Sequence, residues 1–261
     1  MTDLAKTLEH IQELRPRHQA WLKARAAMEQ RIWAYCARYV GRDDANAVKA
    51  ALLAGKSHDL MTPPLEVGAM PLVDCVHTLA EQEKALAKTL AGLASELPVA
   101  DWWRSYNGLD LPGLGKLISQ TGDLRNYPTV AKLWTYMGLA VINGERQRKK
   151  TGDAALVHKY SPQRRSFMWQ IGDAVKRQKS GYYPDLYRSL KEKYRAQWEA
   201  EGKRVIPAAQ VRKSMEPGTY VTLGHLDNHA KRLMEKEILK DLWRRWRDVV
   251  GTPFPKEDEA A

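Results

Sequence analysis

Eight residues constrain this chain more than any other pattern in it: Leu72, Val76, Leu79, Glu83, Leu86, Leu90, Leu93 and Leu97. Steps alternating between four and three place all eight on one narrow seam of a helix, with Glu83 the polar member. Such a seam does not stay in water alone. It requires a second helix, and about three and a half heptads is the length at which a coiled coil competes with an ordinary bundle helix. The stretch 72–97 therefore reads as an association surface. It serves either another segment of the chain, a second copy in a homo-oligomer, or a catalytic partner.

The flanking segments are also helical in pattern. Trp21, Ala24, Met28, Ile32, Cys36 and Tyr39 form one apolar stripe, so residues 4–40 read as one or two helices, ended by Gly41-Arg42-Asp43-Asp44. Gly55-Lys56-Ser57 and Thr62-Pro63-Pro64 act as breakers. Beyond Pro98 the pattern predicts short helices over 99–106 and 114–121, and another from Pro128 to Met137 closed by Gly138. Asn143-Gly144 predicts a hairpin turn within 141–159, the least helical stretch. Ser161-Pro162 opens a helix broken at Gly181, Tyr183-Pro184 opens the next, and a last long helix covers 223–250.

The fold class expected is mainly α. It comprises a helical region (1–70), a coiled-coil-like helix (71–98), a helix-hairpin-helix (99–140), a basic helical region (141–250) and a disordered tail (251–261).

Between these helices lies Leu111-Pro112-Gly113-Leu114-Gly115-Lys116. Pro-Gly-apolar-Gly-Lys fits the turn of a helix-hairpin-helix. Its glycines would take left-handed angles, leave backbone amides uncovered, and face a helix end toward phosphate beside Lys116. An ordinary helix–helix turn is the alternative reading. A nucleotide-binding phosphate loop is not, because its glycine spacing and Lys-Ser/Thr ending are absent.

Charge points the same way. The chain carries a net charge of +11, and residues 141–213 hold 18 Lys and Arg against 7 Asp and Glu. Ion pairs along a helix explain mixed charge, not a surplus of that size. An anionic partner follows, nucleic acid before a membrane surface. The cations expected on it are Arg146, Arg148, Lys149, Lys150, Arg164, Arg165, Lys176 and Arg177, continuing from Gly113, Gly115 and Lys116. Cys36 and Cys75 are too few for a disulfide framework or a zinc site, so a cytoplasmic setting is expected. No apolar run approaches a membrane span, and the start is no signal peptide.

Catalytic candidates are thin. Ser166 and Ser180 lie near basic residues, but a serine nucleophile needs a neighbouring group to take its proton. Tyr182 and Tyr183 read as packing or stacking residues. His225 and His229, four apart on one helix face, have no third ligand in view, so no metal site is expected.

Taken together, the middle of the chain resembles the insertion-sequence one-ten transposases, the group that includes the Piv-type invertases. The residues that carry the resemblance are Leu111-Pro112-Gly113-Leu114-Gly115, Thr121-Gly122-Asp123-Leu124, Tyr127-Pro128 and Leu133-Trp134-Thr135-Tyr136-Met137-Gly138-Leu139, with a weaker continuation through Asn143-Gly144 and Arg164-Arg165. The resemblance covers about 72–180. It implies a DNA-binding half that follows a coiled coil. The family's RuvC-like domain, with its metal-binding carboxylates, finds no counterpart in the helical first hundred residues. Where the family places its nucleophilic serine, this chain has Gly172 and Asp173. The implied role is a nucleic-acid-binding protein of a bacterial or phage mobile element, nucleoid-associated, that assists transposition or recombination. DNA is the leading partner and structured RNA the other. No cofactor is called for, and Mg²⁺ would enter only with an active serine recombinase. A helical scaffold for an acidic protein is the remaining alternative.

Overall fold

The computed structural model describes residues 2–212 and 214–253, and over them the chain is mainly helical. It divides into two compact units, Met1–Leu93 and Ala94–Ala261. The tail expected to be disordered lies, from residue 254 onward, outside the described residues.

The first unit is built from α1 (Thr2–Val40), α2 (Ala45–Leu53) and most of α3 (Pro63–Ser95). Ile32 and Cys36 of α1, Ala45, Val48 and Leu52 of α2, and Leu65, Ala69, Val73 and Val76 of α3 share one core. At Leu72, Val76 and Glu83 the seam meets other helices of this unit. Gly68 of α3 sits against Tyr35, while Glu83 further along pairs with Arg25 at 3.2 Å. Moving forward on α3 moves backward on α1, so the two helices run antiparallel. Glu83, the polar member of the seam, is matched by a cation on the facing helix. Pro63 does not break α3 but starts it, since a first-turn residue has no amide bond to lose.

The second unit follows as α4 (Ala100–Arg104), α5 (Leu111–Thr121), a 3₁₀ turn at Leu124–Asn126, α6 (Val130–Tyr136), the strands β1 (Val141–Ile142) and β2 (Glu145–Arg146), α7 (Asp153–His158), α8 (Pro162–Lys176), α9 (Tyr182–Ala200), β3 (Arg204–Ile206), β4 (Tyr220–Thr222) and α10 (Leu223–Val249). Helix α10 is its axis, with α6, α8, α9 and the 3₁₀ turn packed around it. Leu226, Ala230, Met234, Ile238, Leu242 and Trp246 are fully buried along its length. The boundary expected at residue 140 therefore divides elements that share one core.

Indole N–H groups tie the rest of the unit to that axis. Trp134 donates to the Lys236 carbonyl at 3.0 Å and Trp243 to the Tyr127 carbonyl at 2.9 Å. Trp246 donates to the Asp123 carboxylate at 3.1 Å. Asp123 also accepts from the Arg125 amide and side chain, which hold its carboxyl below the usual range although burial opposes them. The Gly122-Asp123-Leu124 motif is thus a structural corner, and these three tryptophans are ties to the core rather than a surface for bases.

Local signals placed many boundaries. Ser161 caps α8 with Pro162 at its first position, Thr129 caps α6, and Thr222 caps α10. Pro128 falls just ahead of the α6 cap and not inside the helix. The β1–β2 hairpin closes through Asn143 and Gly144, both with positive φ, 50° and 76°. That is the geometry a two-residue hairpin turn requires. Two features went unread in the sequence: α7 in the stretch expected to be least helical, and the parallel pairing of β3 with β4.

Candidate nucleic-acid interface

The turn between α4 and α5 precedes the Pro-Gly-Leu-Gly run by several residues. Its left-handed glycine is Gly108, at φ +86°, where an added Cβ would sit 2.8 Å from the Val175 backbone of α8. Trp103 closes the turn by donating from its indole to the Asp110 carbonyl at 2.8 Å. Gly113 and Gly115 lie inside α5, and neither has a positive φ. The expectation of a left-handed, amide-baring hairpin at Pro112–Lys116 is therefore corrected. Asp110 caps α5, its carboxylate accepting from the Gly113 amide at 2.7 Å, and Pro112 occupies the first turn, where a missing N–H costs nothing.

The correction is also electrostatic. A carboxylate already sits on the amide that was expected to grip phosphate. Gly113 lets this cap sit close: a Cβ there would lie 2.6 Å from the Asp110 oxygen, which would have to shift. Gly115 is buried. The end of α5 faces α8 across a cavity of about 190 Å³, lined by Asp110, Gly113, Lys116, Phe167, Gln170 and Ile171. Of the three residues singled out here, only the Lys116 side chain offers charge.

The other expected cations fall into two groups. Four are engaged by partners within the fold, Arg146 while remaining exposed. Arg165 of α8 meets the fully buried Glu235 of α10 at 2.7 Å, and Lys176 meets Asp227 at 2.8 Å. Arg164 stacks over the Tyr136 ring at 3.7 Å. Arg146 donates to His229 Nδ1 at 2.6 Å and lies 3.5 Å from His225 Nε2. The two imidazoles thus share a guanidinium, which accounts for their spacing. Burial, with Arg146 beside it, holds His229 down at about 4 and depresses His225 in the same direction.

The second group is exposed. Arg148 and Lys149 are exposed and Lys150 is half-buried, with Glu145 the carboxylate that Arg148 and Lys150 share at 3.1 and 2.9 Å. Among the described residues Lys149 has no acidic partner within ion-pair distance. Arg177 is 73% exposed although it pairs with Asp173. The hairpin is fastened from below by Gln147, which is buried and donates to the Thr135 and His158 carbonyls while accepting from the Ala140 amide. A fastened base therefore presents a short cationic segment, 148–150, beyond β2.

Ser166 is exposed on α8, and Ser180 lies in the exposed turn before α9, its carbonyl accepting from Asn107. Among the described residues neither hydroxyl is hydrogen-bonded to a group that could take its proton. Gly172 and Asp173 occupy the α8–α10 crossing. A Cβ on Gly172 would meet Glu235 Oε1 at 2.6 Å, and Asp173 is buried beside Lys176, Arg177 and Lys231.

This crossing holds a polar network that sequence reasoning missed. Lys231 is 1% exposed, with its ammonium 3.7 Å over the Trp169 ring and 3.9 Å from Asp173. Burial pushes the Lys231 ammonium down and the Glu235 carboxyl up to about 7, the latter against the pull of Arg165, Lys231 and Arg232. Asp227 receives Tyr187, Lys176 and Lys191. The available signal was spacing: Asp227, Lys231 and Glu235 recur every four residues, a line of alternating charge along one side of α10.

Among the described residues no group of three or more His, Cys, Asp or Glu side chains could hold a metal ion, and no helix is long and apolar enough to cross a membrane. Comparison with protein-family models, curated proteins and solved structures gives no match to this chain.

Proposed function

We propose that the unit beginning at Ala94 binds nucleic acid along its phosphate backbone, DNA before RNA, as a component of a mobile genetic element that assists transposition or recombination. The observation that carries this reading is the hairpin. The segment 146–150, which leaves β2, is anchored at Arg146 and Gln147 and presents Arg148 and Lys149, with the half-buried Lys150, against one carboxylate. Charge supports it: residues 94–261 carry 30 Lys and Arg against 20 Asp and Glu, whereas residues 1–93 are nearly balanced. The resemblance over 111–139 supplies the link to transposition. A nucleoid-associated cytoplasmic protein fits that role.

Contacts of this kind read the backbone and not the base sequence, so affinity should be tolerant of sequence and steep in salt. The test is fluorescence anisotropy of a labelled 20-base-pair duplex titrated between 50 and 300 mM salt, beside a structured RNA of equal length. Replacing Arg148, Lys149 and Lys150 together with Ala should weaken binding and lower the log–log salt slope by about 2 to 3. Thermal stability should be unchanged. Absence of salt-sensitive binding to either polymer, with retention on an acidic protein instead, would replace this reading with that of a helical scaffold.

A further inference from the structure

A second surface of the same unit has a different chemistry. Trp102 and Tyr106, at and just after α4, Tyr182 at the start of α9, and Asp241, Arg244, Arg245 and Asp248 of α10 line an open groove of about 600 Å³. Tyr182 is 56% exposed, unusual for a large ring set among other rings. Tyr106 sits at its centre: 5.3 Å from Trp102 edge-on, 6.4 Å from Tyr182 and 4.8 Å from Tyr183, centroid to centroid. Tyr183 is fully buried and donates to Asp241 at 3.1 Å, which fixes the floor beneath Tyr182.

The cations are placed for a phosphate. Arg244 is exposed and, among the described residues, has no carboxylate within ion-pair distance. Arg245 holds Asp248 only at 3.4 Å with both side chains largely in solvent. The Asp241 carboxylate spends one oxygen on Tyr183, so the other can accept an N–H. Ring faces, guanidinium groups and a carboxylate acceptor together match the parts of one nucleotide: a planar base with amino groups, and its phosphate. A duplex cannot present that combination, because its bases are stacked and paired.

We propose that this groove takes an unpaired nucleotide of a single-stranded segment, its base stacked on Tyr182 and Trp102 and its phosphate on Arg244 and Arg245. The proposal rests on the nucleic-acid reading above and adds to it a preference for duplexes with exposed single strands. The shared chemistry allows DNA or RNA, and the experiment separates them.

The test is anisotropy of three labelled probes, a 20-base-pair duplex, the same duplex with a 6-nucleotide 3′ overhang, and its RNA counterpart, against the full chain. The overhang should improve wild-type affinity. Tyr182→Ala should abolish that improvement, a loss of about tenfold on overhang probes, with the blunt duplex unaffected. Tyr182→Phe should retain it, since the ring and not the hydroxyl stacks. Arg244→Ala should weaken overhang binding and reduce its salt slope by about 1. Because Tyr182 is exposed, a far-ultraviolet melt confirms that each variant is folded. If overhang and blunt probes bind equally, or if Tyr182→Ala leaves the overhang gain intact, the groove proposal is overturned while hairpin binding stands. If the wild type binds neither probe, both readings fall.

Discussion

The Arg165 guanidinium lies 2.7 Å from a Glu235 carboxylate that has no solvent exposure. A cation that the sequence offers to DNA is thereby spent on holding α8 to α10. Such a pair adds little net stability over an apolar one, but breaking it leaves a charge buried without its partner. Arg165→Ala should lower the stability of the unit by about 3 kcal/mol, read from urea denaturation midpoints. Its nucleic-acid affinity should fall only where the protein begins to unfold. The Arg148, Lys149 and Lys150 variant should do the reverse, losing affinity with its denaturation midpoint unchanged. Direct loss of affinity in folded Arg165→Ala protein would place that side chain on the ligand instead.

Gly172 stands where the same two helices cross. With Glu235 Oε1 at 2.6 Å and Cγ at 2.8 Å from an added Cβ, even a methyl group must push the pair apart. Gly172→Ala should destabilise by about 1–3 kcal/mol despite the better helix propensity of Ala. Thermal denaturation followed by circular dichroism measures it. A gain in stability would mean that the crossing is looser than its geometry.

Half-buried His229 and buried Glu235 give stability opposite slopes with pH. His229 is held at about 4 against an ordinary 6.5, so between those values the unfolded chain takes up a proton that the folded one refuses. Its contribution is therefore lost as pH falls from 6.5 to 4. Glu235 is raised from 4.5 to about 7, so across that window the folded chain keeps a proton that the unfolded one releases, and stability is lost as pH rises. Paired measurements at pH 4.5, 5.5, 6.5 and 7.5 separate them. Relative to wild type, His229→Asn should gain as pH falls and Glu235→Gln as pH rises, each by about 1–3 kcal/mol across its window. Parallel stability curves for all three proteins would refute both assignments.

Asp110 governs what the start of α5 can bind. Its carboxylate caps the Gly113 amide, so Asp110→Ala should cost about 1 kcal/mol of stability. The same change removes a negative charge beside Lys116 and frees the amide. If nucleic acid passes this helix end, Asp110→Ala should bind about two- to fivefold more tightly at low salt. Unchanged affinity would leave the start of α5 out of the interface.

What the sequence alone determined was local. The Asn143-Gly144 turn, the Ser161-Pro162 start of α8, the seam on α3 and the charge surplus all follow from one residue's allowed angles or from spacing along one helix. Those forces act within a few residues, so they can be read in order along the chain. Pro112-Gly113-Leu114-Gly115 misleads for the same reason. Read locally, two glycines and a proline signal a turn. Only the Asp110 carboxylate, three residues back and free to reach the Gly113 amide, makes them the first turn of a helix.

Tertiary structure decided which charges remain available. Lys231 and Glu235 are charged in sequence and buried in fact, because α10 is surrounded by α6, α8 and α9 and presents polar positions to its neighbours as well as apolar ones. Arg165 and Lys176 are drawn inward to answer Glu235 and Asp227, and Arg146, though exposed, is held to His229, partners 51 to 83 residues away. It also gathered Trp102, Tyr182 and Arg244 around one groove from three separate helical segments. Desolvation is the reason in each case. Its cost depends on what surrounds a group from every side, and that is a property of the packed chain and not of the residue's neighbours in sequence.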